Sequence, residues 1–191
     1  MAKTVRGIAV KNYFDHKLKW KDCDKCSLCS QRTNVVLARG HIPAPILFAG
    51  EAPGNSEDIL AKPFVGPAGH LLDFIIDKAI DGQFDYCLTN LVCCIPKGED
   101  GAKTAEPPKE AILACAPRLR ELVELVAPQL IIRVGSLATK WVHKCLKCEE
   151  QDYMWCDIVH PAAILRAESQ KNLMIKRSIV QIESAIEELH Y

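Results

Sequence analysis

The pair Cys23-x-x-Cys26, then Cys94 and Cys115 far downstream, are the residues whose type and spacing most directly imply chemistry. Thiolates are soft ligands, and four of them can hold either an iron–sulfur cluster or a zinc ion. Between the two halves of this set lie Gly50-Glu51-Ala52-Pro53-Gly54 and Pro63-Phe64-Val65-Gly66. Glycines let a backbone approach a ligand closely, and a phenylalanine in the following loop offers a face on which a planar group can stack. Asn90 adds an amide, a donor and an acceptor side by side, and His160 adds an imidazole. Taken singly, a cysteine is more often a small buried apolar residue, Phe64 a core residue, Asn90 a turn former and His160 a packed histidine.

These groups need elements to position them. Four short apolar runs, Ile46 to Gly50, Tyr86 to Asn90, Leu130 to Gly135 and Trp155 to Val159, read as buried strands. Leu71, Leu72, Ile75, Ile76 and Ala79 recur at helical spacing, as do Leu119, Leu122, Val123 and Val126, and Ile175, Ile179, Ile182 and Ile186. The order β-α-β-α-β-β-α predicts an α/β fold, a three-layer α/β/α sandwich around a four-stranded parallel sheet. The expectation is one domain over residues 1–191, with an N-terminal arm carrying the first cysteine pair. Gly50, Asn90, Gly135 and His160 fall at or just past strand carboxyl ends, where open α/β sheets gather ligands. Residues 96–108 (PKGEDGAKTAEPP) lack apolar periodicity and read as a mobile surface loop between Cys94 and Cys115.

Composition narrows the class. With 24 basic and 24 acidic residues the formal charge is zero, which excludes coating nucleic acid by bulk charge but leaves room for a local basic face. Lys11, Lys17, Lys19, Lys21, Lys25 and Arg32 form one basic group, and Arg166, Lys171, Lys176 and Arg177 another; solvated faces explain either equally well. No run approaches the roughly 20 apolar residues of a membrane span. The N-terminus has no apolar signal core, so the ten cysteines read as metal ligands or buried thiols in a reducing, cytoplasmic compartment rather than as disulfides.

A longer series of motifs carries a resemblance. It comprises Cys23-x-x-Cys26, Arg32-Thr33-Asn34-Val35-Val36, GEAPG with Glu57-Asp58, PFVGPAG, Thr89-Asn90-Leu91-Val92, Cys94, Cys115, Ala127-Pro128-Gln129 and His160-Pro161-Ala162. In this order the chain resembles the iron–sulfur, or family 4, uracil-DNA glycosylases from Cys23 through Arg166. The resemblance implies a base excision repair hydrolase that flips uracil out of DNA and breaks its N-glycosidic bond, leaving an abasic site. It also implies a 4Fe-4S cluster on Cys23, Cys26, Cys94 and Cys115, with Cys29 and Cys93 as extras; by spacing alone zinc remains the rival. The implied partner is uracil-containing DNA, single- or double-stranded, met by a monomer in the cytoplasm at the nucleoid.

For the site, the resemblance implies a substrate pocket of Gly50, Glu51, Ala52, Phe64, Asn90 and His160. Everting a base costs a few kcal/mol, and stacking on Phe64 can return about 1–3 kcal/mol of it. Asn90 would accept from uracil N3–H and donate to O4, and His160 would donate to O2 as negative charge builds there, a contribution of about 3–4 kcal/mol. Ile164, in preference to Leu165, would wedge into the gap left by the base, with Arg166 on phosphate. Ala52 stands where the best-known glycosylase class has its water-activating aspartate, which leaves Glu51 and Glu57 as the candidate catalytic acids, unless Glu57 merely caps a helix start. Gly54 likewise replaces the tyrosine that bars the thymine methyl in that class.

Other readings follow different residues. Cys145-x-x-Cys148, with Cys156 nearby, departs from the resemblance and offers a second metal site. A cluster-bearing module that binds uracil-DNA slowly or without turnover, or a glycosylase for other deaminated bases, would keep the same fold. No lysine sits in the motifs to form a Schiff base. The loop between Cys94 and Cys115 carries Lys97, Lys103 and Lys109 but no histidine or arginine, so it lacks the group by which one relative traps DNA covalently.

Overall fold

A computed structural model describes residues 10–98 and 104–190. Its sheet has five strands, β1 (Ala38–Gly40), β2 (Ile46–Gly50), β3 (Tyr86–Asn90), β4 (Leu130–Val134) and β5 (Met154–Ile158), in the spatial order β1-β3-β2-β4-β5. The four strands expected from the apolar runs are parallel to one another, with Gly50 opposite Asn90 at their shared carboxyl edge. The fifth, β1, corrects the expected count. It pairs antiparallel with β3, Ala38 opposite Thr89, and its three residues are too short to show alternation in the sequence.

Among the described residues seven helices flank the sheet: α1 (Tyr13–Trp20), α2 (Asn55–Leu60), α3 (Pro67–Ile80), α4 (Lys109–Val126), α5 (Ser136–Leu146), α6 (Pro161–Arg166) and α7 (Lys171–Glu187). The period-2 alternation of each strand feeds two cores. Ile46 and Phe48 of β2 join Leu72, Ile75 and Ile76 of α3 and Ile182 and Ile186 of α7 on one face. Leu47 and Ala49 join Leu119, Leu122 and Val123 of α4 and Ala138 and Val142 of α5 on the other. The three layers are therefore α3/α6/α7, sheet, α4/α5. Helix α5 corrects the direct β-β step expected between the last two strands: a parallel pair requires a crossover, and α5 supplies it.

The arm preceding the sheet is anchored by α1. Asn12 Oδ1 caps the helix by accepting from the Asp15 N–H at 3.0 Å. Trp20 Nε1 donates to Glu121 of α4 at 2.7 Å, and Lys19 pairs with the same carboxylate. His16 is buried between them, and its pKa is pushed down to about 4, by burial first and then by Arg118. Cys145 and Cys156 lie on opposite faces of the sheet, so they do not assemble the second metal site. The loop after Cys94 is tied at its two ends by the Lys97–Thr104 bridge and by Ala105 N–H donating to Pro96 O at 2.8 Å; the middle of the expected mobile segment, Lys103 included, lies outside the described residues.

Candidate active site and cysteine cavity

The carboxyl ends of β2, β3 and β4 and the turn after β5 open into one cavity of about 460 Å³. Its walls include Glu51, Ala52, Phe64, Asn90, Gly135 and His160, so the structure brings together the expected substrate-pocket residues other than Gly50 itself. Gly50 separates the two recognition groups. A Cβ built there would lie 2.4 Å from Phe64 Cζ and 2.5 Å from Asn90 Oδ1. Only a hydrogen at that position keeps the ring and the amide in place together.

Phe64 is held in an uncommon conformation. Its φ is 55°, the left-handed region, which for a bulky side chain costs on the order of 1–3 kcal/mol and requires support from its surroundings. The support is visible on every side. Arg39 of β1 donates to Pro63 O at 2.7 Å and to Phe64 O at 3.0 Å, and is itself held by Asp73. Gly69 of α3 lies so close beneath that an added Cβ would meet the Phe64 carbonyl at 2.1 Å. Beyond the ring, the Val65 and Gly66 N–H groups donate to Glu57 Oε1 at 2.8 and 2.7 Å.

That last contact decides between the two roles open to Glu57. Its second oxygen accepts from the Gly54 N–H at 3.0 Å, so both oxygens are engaged by backbone donors from the two glycine-rich turns. Glu57 staples the pocket, which disfavours the expectation that it activates water. Glu51 has a different setting. It lines the cavity and makes no side-chain hydrogen bond among the described residues, and its pKa is raised, by burial first and then by Glu106. Ala52 adds only a methyl group to the same wall.

His160 caps α6: its Nδ1 accepts from the Ala162 N–H at 3.2 Å. A ring nitrogen that accepts carries no proton, so in the neutral ring the donor is Nε2–H. Burial first, then Arg166, lowers the pKa and favours that neutral form. Gly135, at φ 93°, packs against the imidazole; a Cβ there would sit 2.9 Å from His160 Cβ. Of the three residues expected to touch DNA, Arg166 lines the cavity and Leu165 is 39% exposed. Ile164 is 0% exposed and packs in the α3/α7 core, so the wedge expected of it is overturned by its orientation on α6.

The four expected ligands, Cys23, Cys26, Cys94 and Cys115, line a second, smaller cavity with Trp20, Leu28, Val35, Leu37 and Val92. Cys93 is a fifth sulfur in this wall, whereas Cys29 is not part of it. Among the described residues no three His, Cys, Asp or Glu side chains converge tightly enough to hold one ion. The sulfurs thus surround a space. Arg32 donates to Cys94 Sγ and Arg118 to Cys115 Sγ, each at 3.7 Å. Burial raises Cys23, Cys26 and Cys94, the last to about 12, while Cys115 is held low, by a hydrogen bond from Cys93 first and by Arg118 besides.

Several contributors escaped the sequence reading. Pro96, Thr104, Ala105 and Glu106 form part of the cavity wall, although their segment reads as an excursion. Arg118 of α4, not among the expected site residues, is 1% exposed.

A family model described as the uracil DNA glycosylase superfamily matches residues 38–182. Three similar proteins carry the name type-4 uracil-DNA glycosylase. That of Saccharolobus solfataricus is 40% identical over 125 residues, 65% of this chain and 56% of the relative. That of Sulfurisphaera tokodaii is 34% identical over 161 residues, 75% and 71% of the two chains. That of Pyrobaculum aerophilum is 32% identical over 175 residues, 80% and 87%. The chain thus spans just over half of the first relative's length and most of the third's. The α/β/α fold, the cavity at its carboxyl edge and the match over the sheet define a uracil DNA glycosylase-type protein. The chain belongs to that superfamily and, within it, to the type-4 family.

Proposed function

We propose that this protein is a DNA repair hydrolase that removes uracil from DNA by breaking its N-glycosidic bond and leaves an abasic site. The observation that carries this is the arrangement across Gly50: an aromatic ring forced into a strained backbone and a buried amide, spaced so that no Cβ fits between them. An everted base would stack on Phe64, an interaction of about 1–3 kcal/mol, and present N3–H and O4 to the Asn90 amide. The neutral His160 would donate Nε2–H to O2, where charge accumulates as the bond breaks; a fixed donor of this kind is worth about 3–4 kcal/mol. Glu51 is the carboxylate in position to orient the attacking water. Among the described residues no lysine lines the cavity, which favours hydrolysis over Schiff-base chemistry.

On the same reading Leu165 occupies the gap left by the base and Arg166 meets phosphate. Cys23, Cys26, Cys94 and Cys115 would hold a 4Fe-4S cluster. A soft donor set around an apolar-walled space suits a cluster, whose irons each take one thiolate, better than a zinc ion that draws four sulfurs to about 2.3 Å. When bound, the cluster ties the N-terminal arm to α4 and β3. Residues 1–191 would then act as one domain and as a monomer, on single- or double-stranded uracil-containing DNA at the nucleoid in the cytoplasm. Among the described residues no helix is long and apolar enough to cross a membrane.

The test is release of uracil from an oligonucleotide, read as strand scission after alkali. Wild type should cut, and Asn90→Ala and His160→Ala should each lose at least about 100-fold. A wild type that leaves the strands intact would refute the assignment.

A further inference from the structure

Arg118 is a permanently charged side chain with 1% exposure, and among the described residues none of its hydrogen-bond partners is a carboxylate. Its Nη1 donates to Thr89 Oγ1 at 2.9 Å. Nη2 donates to Asn90 O at 2.5 Å and to Leu91 O at 2.9 Å, and reaches Cys115 Sγ at 3.7 Å. Among the described residues Nε has no hydrogen-bond partner. Burying an unpaired cation is costly, so negative charge must reside nearby.

The same guanidinium grips the strand proposed to read the base. The N–H groups of Leu91 and Val92 donate to Gly50 O at 2.9 Å and Glu51 O at 3.2 Å. The carbonyls of Asn90 and Leu91 face the other way, into Arg118. Residues 90–92 are therefore held from both sides, by β2 and its extension and by the guanidinium. Thr89 extends the grip: its hydroxyl accepts from Arg118 and donates to Leu37 O at 2.7 Å.

We propose that Arg118 is the positioning residue for uracil recognition: placed at the wall of the cysteine cavity beside Cys115, it fixes the Asn90 amide opposite Phe64 through the Asn90 and Leu91 carbonyls. This rests on the glycosylase reading above and adds a physical link from the cysteine cavity to base selection. Lysine keeps the charge but cannot span the fork of acceptors, since its donors radiate from one nitrogen.

The test uses Arg118→Lys, prepared as the full chain and matched to wild type in bound metal. Uracil release should fall about 100-fold, as expected for a misplacement of about 1 Å at a recognition group. The double variant Asn90→Ala/Arg118→Lys should be no slower than Asn90→Ala alone within about threefold, because both act through one amide. Independent, multiplying losses would overturn the proposal. Amide exchange gives a readout separate from activity: Leu91 and Val92 should exchange at least tenfold faster, with Ile182 of α7 unchanged. Unchanged exchange at Leu91 would refute the grip even if activity fell, while a wild type that releases no uracil would instead refute the underlying glycosylase reading. If Arg118→Lys does not fold, Thr89→Val removes the Nη1 acceptor and should show the same pattern with a loss of about tenfold; no change in exchange or turnover there would also overturn it.

Discussion

Gly50→Ala is the sharpest test of the pocket geometry, because the glycine is required by what lies opposite rather than by its own backbone. Its φ is not positive, so alanine meets no conformational objection at this position. The new methyl would stand 2.4 Å from Phe64 Cζ, and ordinary contact begins near 3.4 Å, so the ring must retreat by about 1 Å or the amide must yield. Neither is free to move. The Phe64 backbone is fixed by Arg39, by Gly69 and by the Glu57 staple, and the Asn90 carbonyl by Arg118. A displacement of that size at a recognition group costs about 100-fold in rate, or about 2.7 kcal/mol.

The stability cost should be that of overpacking one methyl, about 1–3 kcal/mol, so the variant still folds at 25 °C. The measurements are kcat/KM for uracil release from an oligonucleotide and the urea midpoint of unfolding. The expected result is a folded protein with at least about 100-fold less activity. Activity within about threefold of wild type would mean that ring and amide do not face a common ligand across residue 50, and the proposed recognition would fail with it.

Three further outcomes follow from burial and charge. Leu165→Ala should leave stability within about 0.5 kcal/mol while weakening action on double-stranded substrate more than on single-stranded; Ile164→Ala should instead lose about 2–5 kcal/mol of stability, and equal thermal shifts for the two would contradict the orientation of α6. Replacing Cys23, Cys26, Cys94 or Cys115 by serine should abolish visible absorption and bound iron, whereas Cys29→Ser and Cys156→Ser should keep both; iron retained in Cys94→Ser would remove that residue from the ligand set. His16 has a folded pKa of about 4 against an ordinary 6.5, so its contribution is fully present above pH 6.5 and is lost as pH falls toward 4. That loss is on the order of 3 kcal/mol, and His16→Phe should flatten the urea-midpoint profile between pH 7 and 4.5; an unchanged slope would place the histidine in water.

The sheet was legible because β2, β3 and β4 are buried on both faces, and such strands read as largely apolar runs ending at glycine or asparagine; β5, half-buried, still shows Trp155, Cys156, Ile158 and Val159 in the sequence. Gly50, Asn90, Gly135 and His160 could be placed at one edge for the same reason. Orientation around an axis was harder to read. Ile164 and Leu165 are adjacent and alike, and only the docking of α6 on α3 and α7 buries the first and exposes the second. Arg118 follows Cys115 by one helical turn and looks like the solvated side of a stripe; what buries it is the end of β3, 28 residues earlier in the chain. The α5 stripe of Leu137, Ala138, Trp141, Val142 and Cys145 was present in the sequence, but interspersed Thr139, Lys140 and Lys144 mask it.

Hydrogen-bond partners separate the candidate acids of the proposed chemistry. Ala52 has no oxygen to offer, and both Glu57 oxygens hold backbone donors, so loosening either to serve water would release the Phe64 loop. That leaves Glu51, whose ionised form is disfavoured by burial first and by Glu106 second. A carboxylate shifted upward in this way is the more basic once ionised, which suits it to accept a proton from water. His160 has the complementary design: one nitrogen occupied by the Ala162 N–H, burial favouring the neutral ring, and a glycine at residue 135 fixing the approach of its side chain. On the proposed reading His160 steadies the departing uracil anion, and Glu51 is the one wall carboxylate left to orient water.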